Sequence, residues 1–154
     1  MRVTGADHTS FTVSNLDRSL EFYVEILGCE LVWRREDITS QYFRDIVGFP
    51  DSVVRGAYLR IPGSDHKLEL FEYVKPRGIA ADTRTNNPGS SHIAFHVDDL
   101  LAAYEELRNR GVRFRSPPVF IDVGTSHGGY AVYMLDPDGI TVELFQPPEP
   151  TART

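Results

Sequence analysis

From position 8 the chain alternates strictly. HTSFTV sets Thr9, Phe11 and Val13 against His8, Ser10 and Thr12, the period of a strand with one face on a core. The next stretch, SNLDRSLEFYVEILG, changes period: Leu16, Leu20, Tyr23, Val24 and Leu27 recur at helical spacing, Ser14 or Asn15 suits the start, and Gly28 the stop. The same succession returns from His92. HIAFHV sets Ile93, Phe95 and Val97 against His92, Ala94 and His96, and DDLLAAYEELRNRG follows. There Asp98 or Asp99 is the cap, Leu100, Ala103, Tyr104 and Leu107 are the stripe, and Gly111 is the stop. Each helix leads into a short extended piece, CELVWR at 29–34 and VRFRS at 112–116. Each half then closes on two strands joined by a turn: RGAYLRI and KLELFEY around PGSD, YAVYML and ITVELFQ around DPDG.

The pattern therefore predicts an α+β chain in which strand, helix and three strands are given twice. A single domain over 1–154 would contain a first βαβββ module at 6–74, a polar linker rich in Pro, Gly and Asn at 75–91, a second module at 92–147 and a loose tail at 148–154. His8 and Glu69 lie 61 positions apart and His92 and Glu143 lie 51 apart, so the first half carries ten more residues. The excess falls in ITSQYFRDIVGFPD, where Tyr42, Phe43, Ile46 and Val47 predict a short amphipathic helix. It reads either as a cover over a pocket or as a connector with one packed face.

Four residues occupy matching places in the repeat: His8 and His92 open each first strand, and Glu69 and Glu143 lie inside each last strand. In KLELF, Leu68 and Leu70 oppose Glu69; in ITVELF, Ile140, Val142 and Leu144 oppose Glu143. All four side chains are expected on the sheet faces that the helices leave open. A carboxylate in such surroundings is costly unless paired or bound to a metal. Two imidazoles and two carboxylates suit one divalent first-row ion, Zn, Ni, Co, Mn or Fe, with room for water or substrate. Taken singly, each His or Glu reads as an ordinary strand residue; their joint recurrence is what points to a site.

Net charge is −6 and the 16 basic residues are scattered, which disfavours a nucleic-acid partner. The single cysteine, Cys29, excludes an intrachain disulfide and agrees with a reducing compartment. MRVTGADHTS lacks the apolar centre of a signal peptide, and no apolar run approaches the roughly 20 residues of a membrane span. A soluble cytoplasmic protein without membrane partners is the expectation.

DHTSFTVSNLDRSLEFYVEILGCEL, HKLELFEY, NPGSSHIAFHVDDL and LDPDGITVELFQ together resemble the vicinal oxygen chelate superfamily, the glyoxalase, bleomycin resistance protein and dioxygenase group. The resemblance implies paired βαβββ modules with cupped mixed sheets and a metal held by His8, Glu69, His92 and Glu143. It also sorts the members: drug-binding relatives lack the metal set, fosfomycin enzymes and extradiol dioxygenases use two His and one Glu, and glyoxalase I and the epimerases use four ligands. The extra position here is Glu69, as in the four-ligand group. The implied activity is that of an isomerase, epimerase or lyase on a small carbonyl substrate, through a metal-bound enediolate, with Glu143 and Glu69 moving the proton. Two alternatives stand beside it. An Fe(II) extradiol-type dioxygenase would use His8, His92 and Glu143, with His96, His127, Tyr130 or Tyr133 as acid and base; a drug or metabolite binding protein would hold no metal. Arg34, Arg35, Arg44, Arg55 and Arg84 are candidates for gripping a charged substrate, or plain surface. A homodimer is expected by resemblance.

Overall fold

A computed structural model describes residues 1–149; residues 150–154 of the expected tail lie outside the described part. The chain divides into two compact units, Met1–Ala80 and a second from Ala81 onward. The first contains β1 (His8–Thr12), α1 (Leu16–Leu20, widening into a π-helical stretch over Glu21–Ile26), β2 (Glu30–Ile38), α2 (Gln41–Val47), β3 (Val53–Arg60) and β4 (Lys67–Lys75). The second contains β5 (His92–His96), α3 (Leu100–Asn109), β6 (Arg113–Phe114), β7 (Val119–Phe120), β8 (Tyr130–Leu135) and β9 (Thr141–Gln146).

Each unit holds one mixed sheet, in the order β1-β4-β3-β2 or β5-β9-β8-β6, with β7 also pairing β8. β1 runs parallel to β4 and β5 parallel to β9, while the other pairs are antiparallel. The class is α+β, as the alternation predicts.

The helices form where the sequence supplies caps. The Asn15 side chain accepts the Arg18 N–H at 2.9 Å, and Asp99 accepts that of Ala102 at 3.0 Å. Both helices end before a glycine with positive φ, Gly28 at 75° and Gly111 at 83°, a conformation that costs other residues energy. The π-helical turn in the first half, marked by the Leu27 N–H reaching the Phe22 carbonyl at 3.1 Å, rotates the buried face. Phe22 therefore joins Leu16, Leu20 and Tyr23 inside, and Val24 and Leu27 are only half-buried.

One face of each sheet is the core. Leu59, Leu68 and Leu70 lie fully buried with Phe11 in the first unit, and Val132, Met134, Val142 and Leu144 with Leu100 and Leu107 in the second. Each such side chain contributes about 1.5–3 kcal/mol. The extended piece at 29–34 runs further than its apolar residues suggest, through RREDI to Ile38, because β3 supplies backbone partners as far as Val54. β7 was not visible in the pattern; its two residues pair with Ala131 and Tyr130.

The core face of the first sheet carries an acid. Glu72 is 7% exposed and accepts the Leu16 N–H, the first of α1, at 2.9 Å. The corresponding residue of the second unit, Gln146, accepts the Leu100 N–H of α3 at 2.8 Å. In both halves the last strand thus satisfies a donor that a helix start leaves open. The charge of Glu72 is matched by Arg55, whose guanidinium reaches Glu72 at 2.8 Å, Asp17 at 3.0 Å and Glu36 at 2.6 Å. Replacing Glu72 by Ala strands the Leu16 N–H, takes from Arg55 one of its three carboxylates and is expected to cost roughly 2–4 kcal/mol in urea unfolding. Glu72→Gln keeps the bond that Gln146 makes unaided and should lose less than half of that; equal losses in the two variants would contradict this account.

Candidate metal centre

In the first unit the parallel register pairs His8 with Lys67 and Ser10 with Glu69. His8 thus stands two residues ahead of Glu69's partner, and the strand period of two puts both on one face. Their side chains meet, His8 Nε2 lying 3.5 Å from Glu69 Oε2. The Glu69 side chain is 15% exposed and burial raises its pKa, against the opposing pull of the His8 imidazole and the Ser10 hydroxyl.

The second unit repeats the arrangement. His92 pairs with Thr141 and Ala94 with Glu143, the same offset, and His92 Nε2 lies 3.1 Å from Glu143 Oε2. In both units the ring nitrogen turned toward the carboxylate is Nε2. One imidazole nitrogen beside one half-buried carboxylate oxygen is a donor pair that fits a divalent first-row ion. Among the described residues no group of three or more His, Cys, Asp or Glu side chains forms a ready-made cluster; each unit supplies a pair.

A tyrosine completes each pair. Tyr58 lies across from Glu69 and Tyr133 across from Glu143, and their rings sit 6.0 Å from His8 and 5.1 Å from His92. Burial raises the pKa of both phenols. Tyr133 was a candidate and Tyr58 was not, although the aligned words AYLR and VYML carry the signal. On the same face of the first sheet Trp33 stacks on Tyr58 at 5.6 Å.

The other candidates have partners of their own. His96 packs against Phe145 and His127 against Phe120, which also holds Tyr130. Arg34 and Arg55 are committed to Asp17 and Glu36, Arg84 to Asp82, and Arg44 to the Ser52 carbonyl, while Arg35 lies 5.6 Å over the Trp33 ring. Cys29 is buried, its thiol pushed up to about 11, so it is no nucleophile.

The segment with the extra residues forms α2, and within the first unit it covers the face that bears Glu69. Phe43 packs with Ile38 and Val54 against Phe71 and Tyr73, which follow Glu69 on that face. Gly56 permits the close fit, since a Cβ there would stand 2.8 Å from Ile38 Cδ1 and 3.0 Å from the Phe71 ring. Of the two readings of this segment, a packed face is seen, and it lies beside the Glu69 pair. Tyr42 and Ile46 remain exposed.

Residues 5–144 match the Glyoxalase/Bleomycin resistance protein/Dioxygenase superfamily. Over 144 residues the chain is 35% identical to a 2-epi-5-epi-valiolone epimerase from an Actinomyces species, covering 92% of this chain and 78% of that protein. It is 28% identical to a probable lactoylglutathione lyase of Vibrio cholerae, covering 90% and 88%. A glyoxalase family protein from Bacillus cereus superposes with a TM-score of 0.79 at 22% identity, covering 96% of this chain and 97% of that one.

The raised pKa of Glu69 has a consequence for stability. A carboxyl that is harder to ionise in the folded than in the unfolded chain supports folding below its ordinary pKa, 4.5, and that support is lost as pH rises through its folded value. Metal-free Glu69→Gln is therefore expected to melt higher than the metal-free parent at pH 7, with the advantage shrinking as pH falls through the folded value of Glu69 toward 4.5 and gone below it. A lower melting point for the variant at pH 7 would contradict the assignment.

Proposed function

Because the chain belongs to the glyoxalase, bleomycin resistance protein and dioxygenase superfamily, we propose that it is a metal-dependent isomerase or epimerase that moves a proton beside the carbonyl of a small polyhydroxylated ketone. The observation that carries the reading is the recurrence of one His–Glu pair, at one strand register and with Nε2 toward the carboxylate, in both halves. His8, Glu69, His92 and Glu143 would hold one divalent ion, Zn, Ni, Co, Mn or Fe. When bound, such an ion acts as a Lewis acid toward carbonyl oxygens.

The chain's own groups handle the proton. Glu143 is the base that takes it from the carbon beside the carbonyl, and Glu69 is the second carrier, on a separate sheet. Two independent carriers are what inversion at a carbon requires, since one must remove the proton and the other return it. Burial favours this use of Glu69, because a desolvated carboxylate holds a proton more readily than one in water. The histidines transfer no proton to or from the substrate in this scheme and serve as ligands.

Two observations support a compact polyol over a larger conjugate. The relative with the higher identity of the two described is named as an epimerase of a valiolone. Most of the arginines that would grip phosphates are spent on carboxylates or a backbone carbonyl of the chain itself.

The test is solvent deuterium uptake into a panel of cyclic polyol ketones and 2-hydroxy ketones with metal restored. Uptake is expected with about one bound ion per active chain, and His8→Ala should lose the ion. Glu143→Gln, measured with its metal content verified, should lose about 10²- to 10⁴-fold in exchange. Full turnover in that variant would sink the proposal, as would full activity of a protein stripped of metal.

A further inference from the structure

The two His–Glu pairs are not equivalent, and the difference lies behind the first histidine. His8 Nδ1 is 2.7 Å from Asp7 Oδ2, and the same oxygen accepts the Tyr58 hydroxyl at 3.1 Å. A carboxylate only accepts, so Nδ1 carries the proton. In the neutral form of the ring the Nε2 lone pair then faces Glu69 Oε2 across 3.5 Å, acceptor against acceptor. That arrangement is repulsive unless a proton or a metal ion stands between the two atoms. Tyr58 is itself held in place: it stacks on Trp33 with the ring planes 2° apart, and its edge meets the His8 ring. In the second half the residue matching Asp7 is Ser91, which has no carboxylate to offer.

We infer that Asp7, steadied by Tyr58, is a positioning residue that fixes the tautomer and the aim of His8 and makes the first-half pair the firmer hold on the ion. The inference rests on the metal reading above. A carboxylate behind a ligating imidazole presets the ring, so it need not be reoriented when the ion binds, and raises the basicity of the other nitrogen. The phenol occupies the second hydrogen-bonding position of the same oxygen and limits the rotation of the Asp7 side chain, which is otherwise open to water. The second-half pair, built on His92 and Glu143, is by contrast the one whose carboxylate is more readily released for proton transfer.

The experiment has a metal-free arm and a metal-binding arm. Long-range ¹H–¹⁵N spectra of the metal-free full chain, taken at about pH 8.5 and above the ordinary histidine range, should find the His8 ring proton on Nδ1. Asp7→Ala should shift the His8 signals toward the Nε2–H form and leave those of His92 unchanged. Chelator competition with Zn(II) should find affinity weakened about 10- to 100-fold in Asp7→Ala and Asp7→Asn, and by less in Tyr58→Phe. Asp82→Asn, which removes an exposed carboxylate paired to Arg84, should leave affinity unchanged. An unaltered His8 tautomer in Asp7→Ala overturns the inference, even if affinity falls, because the loss would then follow net charge alone. A changed tautomer with affinity within about twofold of the parent also overturns it. If no variant and no parent binds Zn(II), the metal reading fails, while the metal-free spectra still decide whether Asp7 sets His8.

Discussion

Everything distinctive in this molecule depends on the register of one parallel strand pair, made twice. Where β1 meets β4 and β5 meets β9, the histidine that opens the first strand stands two residues before the partner of the glutamate. A side-chain period of two then brings both onto the same face. Because one residue of slip would send the glutamate into the leucine core and a leucine out, hydrophobic burial itself enforces the register. The site is in this sense a by-product of packing Leu68 and Leu70, or Val142 and Leu144, against a helix.

The same strands also serve the opposite face. Three residues beyond each glutamate, an odd step that crosses the sheet, stand Glu72 and Gln146, which accept the first N–H of α1 and α3. Each last strand therefore carries a candidate metal ligand on one side and holds a helix on the other. The burial of Glu72 is tolerable because Arg55 binds it and is in turn bound by Asp17 and Glu36.

The halves have diverged around this common frame. The first has Ser10 beside its glutamate where the second has Ala94, Asp7 behind its histidine where the second has Ser91, and α2 laid over the face that bears Glu69. These changes all add polar support or cover to the first pair. On the proposed function, two identical pairs would treat both sides of a substrate alike, and an epimerase gains from treating them differently.

Alternation and helical spacing determined the repeated order of strands and helices, the helix stops, and the shared face of His8 with Glu69 and of His92 with Glu143, because those features depend on near neighbours and on which side of a strand is apolar, while the choice of Asn15 and Asp99 as caps fell to the structure. The helix at 41–47 was legible for the same reason. What tertiary structure alone decided concerns partners far apart in the chain. β2 extends through charged residues because β3 lies beside it, and α2 turns Phe43 inward while leaving Tyr42 and Ile46 out because Phe71 and Ile38 are there to receive it. Arg34 and Arg55, open candidates in the sequence, are consumed by Asp17 and Glu36. A side chain's periodicity is written locally, whereas its hydrogen-bond partner is whatever the fold brings within 3 Å, and Asp7 beside His8 under Tyr58 became visible only when β3 closed on β4.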